Sequence, residues 1–363
     1  MNILFFNRSF YPDIEATGQF LTELCEDLAE LGHEITVVSG KSYHVSSKNK
    51  FFLKEKPDVI VAQTDPPVLG LLGIFFSKWY KAKFVYYCKD IYPDVGIITG
   101  KLRNPLLNWL LKSINDVSYS CATRIVCIGE DMKKRIIEKG VEGNKISVIH
   151  DWANTKELNP VPDRENLFKT KFRLPEQFTV MYSGNLGLTQ DLEKVIEVAK
   201  HFKDQKELRF IFIGEGANKT NLQNLATKYN LVKVHFLPYQ PKEELKYSLS
   251  AADIHLITFQ KGLAGVMVPS KVYGILACGK PFIGWIDEES EVYNIAHRFN
   301  CGLTVPPGDI NKMVETLNWA INHRDKLQEM GESARKAAEE FFDRKISITK
   351  FNKLILDVSA NLN

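Results

Sequence analysis

No run of about 20 apolar residues occurs anywhere in the 363-residue sequence, so no membrane-spanning helix is expected. The six cysteines, Cys25, Cys88, Cys121, Cys127, Cys278 and Cys301, form no Cys-x-x-Cys and no Cys/His cluster with zinc spacing. Reduced thiols, no metal and no cofactor are the expectation. Gly-x-Gly-x-x-Gly after the first strand of either half is missing, which argues against a nicotinamide dehydrogenase. Gly-x-x-x-x-Gly-Lys-Ser/Thr is missing too, which excludes a P-loop NTPase, and without Gly-x-Ser-x-Gly nothing argues for a hydrolase. There is no low-complexity tract and no short repeat. A strong excess of one charge is also lacking, the net charge being +3. With no groove-reading helix or base-stacking module either, nucleic acid is not an expected partner. Met1 to Arg8 reads as a short strand that turns polar, not as a signal peptide.

What is present fits a globular protein large enough for two domains, 44% hydrophobic and 25% charged. The charge is uneven. Residues 41–112 hold 12 Lys/Arg against 5 Asp/Glu, interleaved with Val68-Leu-Gly-Leu-Leu-Gly-Ile-Phe-Phe76 and Leu102-Arg-Asn-Pro-Leu-Leu-Asn-Trp-Leu-Leu-Lys112. Such a stretch can lie on an anionic membrane face. It can equally be a set of core helices with a solvated basic rim.

Short apolar runs alternate with helical patterns throughout. In the first half, strands are expected at 2–6, 34–38, 58–62, 84–87, 124–128 and 145–149, with a basic helix over 130–139. The residues Phe20, Leu21, Leu24, Cys25, Leu28 and Leu31 have helical spacing. In the second half, strands are expected near 178–183, 208–213, 232–236, 254–258, 281–285 and 302–305, and the tail from Ile310 is helical. Residues 154–163, with Pro160 and Pro162, read as a linker. The fold class is α/β, with two doubly wound parallel-sheet domains facing a cleft. The expected division is 1–160, 161–341 and a last helical segment, 342–363.

In such sheets ligands bind beyond the carboxyl ends of the strands. The most informative of these ends is Ser183-Gly-Asn-Leu-Gly-Leu-Thr-Gln-Asp-Leu192, a glycine turn between a strand and a helix that starts near Thr189. Gly184 and Gly187 allow a tight turn whose amides and helix N-terminus can face an anion. Pro269-Ser270-Lys271 opens a short helix, with Ser270 a candidate N-cap and Gly279 a candidate C-cap. A lysine there opposes the helix dipole, which favours a ligand role over a merely solvated one. Lys89-Asp90 follows a buried strand, and Asp90 either orients a hydroxyl or caps the next turn. His150 reads as a cleft group or a structural hydrogen bonder. The acidic run at 287–291 holds a ribose diol or is a solvated helix start. Further strand-end groups are Tyr11, Glu15, Thr17, Gly18, Thr64, Asp65, Tyr92 and Asp94 in the first half. The second half adds Asn185, Gln190, Gly214, Glu215, Gly216 and Lys219.

Together these segments resemble the family 4 retaining glycosyltransferases of the two-domain GT-B fold, within them the colanic-acid and O-antigen L-fucosamine transferase branch. The matching stretches, in family order, are Phe10–Gly18, Leu31–Val38, Thr64–Pro67, Lys89–Asp94, Tyr182–Gln190, Ile213–Gly216, Val268–Ala277 and Cys301–Asp309. The resemblance implies Rossmann-like domains and a retaining, metal-independent sugar transfer from a UDP-sugar, N-acetylated or deoxy hexoses included. The acceptor would be a polyprenyl-linked saccharide in capsule, O-antigen or exopolysaccharide synthesis. The protein would be cytoplasmic and peripheral on the inner membrane face, docked through residues 68–112. It implies donor contacts at Gly184, Asn185, Gly187, Gln190, Gly214, Glu215, Lys219, Ser270 and Tyr273, with Pro238 and Tyr239 edging the base. Tyr11, Glu15, Thr17, Gly18, Asp65, Lys89 and Asp94 would serve the acceptor. Asp90 would orient the attacking hydroxyl, Lys271 would meet the leaving phosphate, and the last helix would act in closure.

The chain departs from the family pattern. Asn185 and Gln190 lie in the turn where many relatives carry Arg and Lys. The Glu-x7-Glu positions are Val266 and Gly274, which leaves Glu288 or Glu291 as the ribose contact. A His common before the Asp is Lys89. Two other readings stay open: a UDP-sugar 2-epimerase of similar fold, and a non-catalytic nucleotide-sugar-binding subunit.

Overall fold

The computed structural model describes residues 1–13, 15–40 and 55–360. Ile14, the basic residues at 41–54 and the last three residues of the expected 342–363 segment lie outside the described residues. Two compact units divide the chain. The first holds residues 1–151, 265–268 and 345–363; the second holds 152–264 and 269–344.

The first unit is built on β1 (Asn2–Asn7), β2 (Glu34–Ser39), β3 (Val59–Gln63), β4 (Lys83–Cys88), β5 (Arg124–Cys127) and β6 (Ile146–Val148). All pair in parallel, in the order β2-β1-β3-β4-β5-β6. Its helices are α1 (Ala16–Glu30), α2 (Leu69–Tyr80), α3 (Asp94–Ile98), α4 (Pro105–Cys121) and α5 (Glu130–Glu138). The central strands are apolar along their whole length because helices cover both faces of a parallel sheet. Every residue of β3 is buried.

The second unit repeats the plan. Its strands are β7 (Phe178–Ser183), β8 (Leu208–Ile213), β9 (Val234–Leu237), β10 (Ile254–Thr258), β11 (Phe282–Trp285) and β12 (Gly302–Val305). They form a second parallel sheet, ordered β12-β11-β10-β7-β8-β9. Its helices are α6 (Leu167–Lys171), α7 (Leu192–His201), α8 (Lys219–Lys228), α9 (Leu245–Ser250), α10 (Lys271–Ala277), α11 (Glu291–Phe299), α12 (Ile310–Asn322) and α13 (Arg324–Phe341). The last helix, α14 (Arg344–Ala360), returns to the first unit. There Phe351 packs on Phe5 and Tyr87, and Asn352 meets the His33 ring at 2.7 Å.

The units divide nine residues before the expected boundary at 160, and the physical reason is visible. Residues 154–163 are not a free linker. Ala153 exchanges backbone hydrogen bonds with Phe342 and Arg344, and Thr155 donates twice to the Asp343 carboxylate. The Arg335 guanidinium donates to the carbonyls of Thr155, Leu158 and Ala277. A second difference is the segment Gly265–Val268, which joins the first unit. Ile91 N–H donates to the Val266 carbonyl, and Gly265 N–H donates to Asp131.

Each sheet reverses its strand order once. The reversal lies between β1 and β3 in the first unit and between β7 and β10 in the second. Loops leaving two such strands part in opposite directions and leave a crevice at the carboxyl edge. These two edges position the candidate site residues.

Candidate active site

In the second unit the glycine turn after β7 is stitched to the loops after β8 and β10. Gly184 N–H donates to the Ile213 carbonyl at 2.9 Å and Leu186 N–H to the Glu215 carbonyl at 2.8 Å. Asn218 N–H returns to the Leu186 carbonyl, and Gly214 N–H donates to the Leu237 carbonyl. From the other side, Gln260 N–H donates to the Thr189 carbonyl and Thr258 Oγ1 to the Gln190 carbonyl. The turn is therefore a fixed backbone surface. Buried Leu186 roots it in the core.

The glycines have distinct reasons. Gly184 and Gly214 have φ of +145° and +149°. A Cβ on Gly214 would sit 1.9 Å from the Gly184 carbonyl oxygen. Gly187 has ordinary φ, but a Cβ there would crowd the Gln190 side chain at 2.9 Å. The expected helix start at Thr189 is not seen. Leu188–Gln190 form a 3-10 turn, Asp191 takes a left-handed conformation, and α7 begins at Leu192.

Lys271 lies against this turn. A Cβ on Gly184 would be 3.0 Å from its Nζ, and the Nζ stands 3.7 Å from the Tyr182 ring centre. The ammonium is enclosed and has no hydrogen-bond partner among the described residues. Burial alone pushes its pKa down to about 7. The Tyr182 hydroxyl is engaged with the Asn185 carbonyl at 2.9 Å. Gln190 is buried, and its Oε1 is a second polar atom at the same turn without a hydrogen-bond partner among the described residues.

Other expected donor contacts are placed differently. Ser270 occupies the position before α10 but its side chain makes no capping bond, while Gly279 beyond the helix end does adopt φ +62°. Tyr273 lies in the core, fully buried, its ring packed on Phe342. Lys219 pairs with Glu215 at 2.6 Å, so each offsets the other's charge. Half-exposed Tyr239, after Pro238, borders Gly214. Glu288 is exposed, and Glu291 is buried in the first turn of α11. The acidic group that reaches back toward the β10 loop is Asp287, which accepts from Gly262 N–H at 2.7 Å.

In the first unit the edge holds a charged network that sequence reasoning missed in part. Arg8, directly after β1, donates to Asp65 at 3.0 Å and Glu15 at 2.7 Å. The Ser9 hydroxyl also donates to Glu15. Arg8 was readable as a strand-end cation; its partners were not. The Thr64 hydroxyl accepts from the backbone amides of Lys89 and Asp90 and ties the β3 and β4 ends together. Burial first, and then the neighbouring Asp65, raise the Asp90 carboxyl to about 7. Tyr11 is exposed, Thr17 lies in the first turn of α1, and Gly18 is a packing glycine whose Cβ would press on Ser9.

Two expected acceptor contacts are engaged in ion pairs within the first unit. Lys89 is buried in an ion pair with Asp151, its ammonium over the rings of Phe20 and Tyr87. Burial is the largest single influence and opposes that charge, but Asp151 and the Tyr87 hydroxyl together outweigh it and hold Lys89 above its ordinary value. Asp94 binds Arg135 at 3.0 Å and Lys139 at 2.9 Å and locks α3 to α5. The Glu-x7-Glu positions are likewise spent on packing: Val266 is fully buried and Gly274 sits against Leu249 and Leu158. No group of three or more His, Cys, Asp or Glu among the described residues is placed to hold a metal ion.

Residues 163–337 match the family model described as "Glycosyl transferases group 1", and residues 43–157 match "Glycosyltransferase Family 4". WbjE of Pseudomonas aeruginosa, named as a glycosyltransferase, is 27% identical over 298 residues, covering 81% of this chain and 73% of its own. WcaI of Escherichia coli (strain K12), named for glycosyl transfer in colanic acid biosynthesis, is 23% identical and covers 97% and 98%. Anabaena HepE, solved in complex with UDP, superposes with a TM-score of 0.77 at 15% identity over 100% of both chains. The chain is a GT-B glycosyltransferase.

Proposed function

We propose that the transferase moves a sugar, with retention and without a metal, from a UDP-sugar to a polyprenyl-linked saccharide during surface polysaccharide synthesis. One observation carries the donor half: an enclosed, unpartnered Lys271 ammonium against the Gly184 turn. A buried cation without a counter-charge is costly, and a diphosphate supplies the missing charge at a fixed backbone surface. HepE, which has the same fold, is solved with UDP and with UDP-glucose, and this supports UDP as the carrier. The name of WcaI supports the polysaccharide context.

In this reading the bond from sugar C1 to the diphosphate oxygen breaks, and Lys271 meets the charge developing on that oxygen. The acceptor hydroxyl attacks C1 on the same face, and its proton passes to the departing phosphate. Asp90, at the edge of the first unit, accepts a hydrogen bond from that hydroxyl and orients it. Arg8, Glu15 and Asp65 shape the surface around it.

The test is UDP release from a panel of UDP-sugars, with and without an extract of polyprenyl-linked glycans, in the presence of a chelator. Release from one sugar only when extract is present supports the reading, and proton NMR of the product reads the anomeric outcome. Release without acceptor, together with an epimerised sugar, would overturn it. So would UDP binding with no turnover on any acceptor.

A further inference from the structure

A cavity of about 450 Å³ opens at the amino edge of the second sheet, the edge opposite the Gly184 turn. Phe178 begins β7, and Asp253 and Pro281 directly precede β10 and β11. The other wall is one face of α13, where Arg324, Leu327, Gln328, Gly331, Glu332 and Arg335 follow at helical spacing. All of these residues belong to the second unit. Gly279 and Gly331 bring this helix onto the turn after α10: a Cβ on Gly331 would lie 2.5 Å from the Gly279 carbonyl oxygen. The volume falls in the range of small-molecule sites, roughly 300–1,000 Å³.

The cations that line it differ in what they hold. Arg335 is engaged, donating to the carbonyls of Thr155, Leu158 and Ala277 and to Glu339. Lys280 and Arg324 are not. The Lys280 ammonium is half-buried and forms no ion pair or side-chain hydrogen bond among the described residues. The acids that act on it are engaged elsewhere: Asp253 accepts from Thr179 N–H at 2.7 Å, and Asp163 pairs with Lys169 at 2.7 Å. Burial lowers the Lys280 pKa, and the attraction of these two acids does not restore it. Exposed Arg324 lies over the Phe178 ring at 5.3 Å and forms no ion pair among the described residues.

A half-desolvated ammonium without a counter-ion is costly, and a bound anion offsets that cost. On the α13 wall the Gln328 amide donates to one Glu332 oxygen at 3.2 Å. This leaves the Gln328 carbonyl oxygen and the second Glu332 oxygen as acceptors for hydroxyls. The one ring of the lining, Phe178, is fully buried beneath Arg324 and offers no face to a base. Cations for a phosphate, acceptors for hydroxyls and no stacking surface select a sugar phosphate over a nucleotide. We propose that this cavity is a second ligand site that takes a phosphorylated sugar, its phosphate on Lys280 and Arg324 and its hydroxyls on Gln328 and Glu332.

This site is separate from the donor site proposed above. Helix α10 runs between them, with Lys271 at its first position and Lys280 three residues beyond its end. Its seven residues span about 10 Å. Binding at the amino edge uses neither the Gly184 turn nor Lys271, so it does not rest on the transfer reading.

The test is titration calorimetry of the full chain with glucose 1-phosphate, alone and with saturating UDP, and with inorganic phosphate for comparison. With UDP present one site per chain is expected, and inorganic phosphate should bind it at least about tenfold more weakly. Lys280→Met and Arg324→Gln should each weaken glucose 1-phosphate at least about tenfold, with UDP affinity and the thermal midpoint unchanged. Arg324 is exposed, so its variant reads the site even where Lys280→Met disturbs folding. No binding at millimolar glucose 1-phosphate would overturn the proposal, as would complete competition by UDP. So would equal binding of inorganic phosphate, or unaltered affinity in both variants. A chain that binds glucose 1-phosphate through Lys280 and Arg324 but binds no UDP would sink the donor reading and leave this site standing. UDP binding without a second site would do the reverse.

Discussion

Binding of UDP should become weaker as pH rises, and the loss should run through Lys271. In the free protein burial lowers this lysine from 10.5 to about 7. That displacement corresponds to roughly 5 kcal/mol of lost preference for the charged form. A bound diphosphate restores the preference and returns the pKa to at least about its ordinary value. Below pH 7 the lysine is already charged and binding takes up no proton. Above pH 7 each binding event must protonate it, so affinity falls about tenfold per pH unit. Between pH ~7.5 and ~9 the dissociation constant should rise about twentyfold, with uptake of about 0.8 proton at the lower value. The diphosphate is fully ionised throughout this window, its last pKa being about 6. Tyr182 and Tyr239, the tyrosines at the turn, are both held above their ordinary value by burial and stay neutral. Titration calorimetry in two buffers of different ionisation enthalpy measures affinity and proton uptake together. Lys271→Met should bind UDP more weakly at pH ~7.5 and show no slope. A parent protein with a flat profile and no proton uptake would refute the placement of Lys271 beside the diphosphate.

Asp90→Asn should stabilise the fold at pH ~8 by no more than about 4 kcal/mol while lowering transfer. The folded-state pKa is raised, so stability is lost as pH climbs from the ordinary carboxylate value, 3.8, to about 7, and urea titrations at pH ~5 and ~8 measure the difference. Gly214→Ala should cost about 3 kcal/mol or more and abolish UDP binding, because its Cβ would strike the Gly184 carbonyl at a φ of +149°. Asp94→Ala should cost about 1–2 kcal/mol in denaturant midpoints, with UDP affinity unchanged. Gly73→Ala should lose about 1–3 kcal/mol in thermal unfolding, since the Phe84 ring must give way.

The sequence alone determined the sheets. Parallel strands buried on both faces must be apolar along their length, so runs such as Val59–Gln63 and Leu208–Ile213 stand out between glycine-rich and proline-rich breaks. The glycine turn at 184–187 was legible for the same local reason. What the tertiary structure decided is which polar groups are free. Lys89 read as a ligand contact, but its partner Asp151 lies 62 residues away and turns it into a buried pair. The linker read from its prolines is held by Arg335, 177 to 180 residues downstream. Lys271 read as a first-turn lysine in water or on a phosphate, and only the packing of Tyr182 and Gly184 around it removes its solvent. The apolar stripe of α2 would pass for core until Gly70 and Gly73, buried while Leu71, Leu72, Phe75 and Trp79 are exposed, show which side faces the sheet. Local pattern specifies which elements form, because backbone and side-chain periodicity are local. Burial and pairing are properties of residues far apart in the chain, and they exist only once the chain has folded.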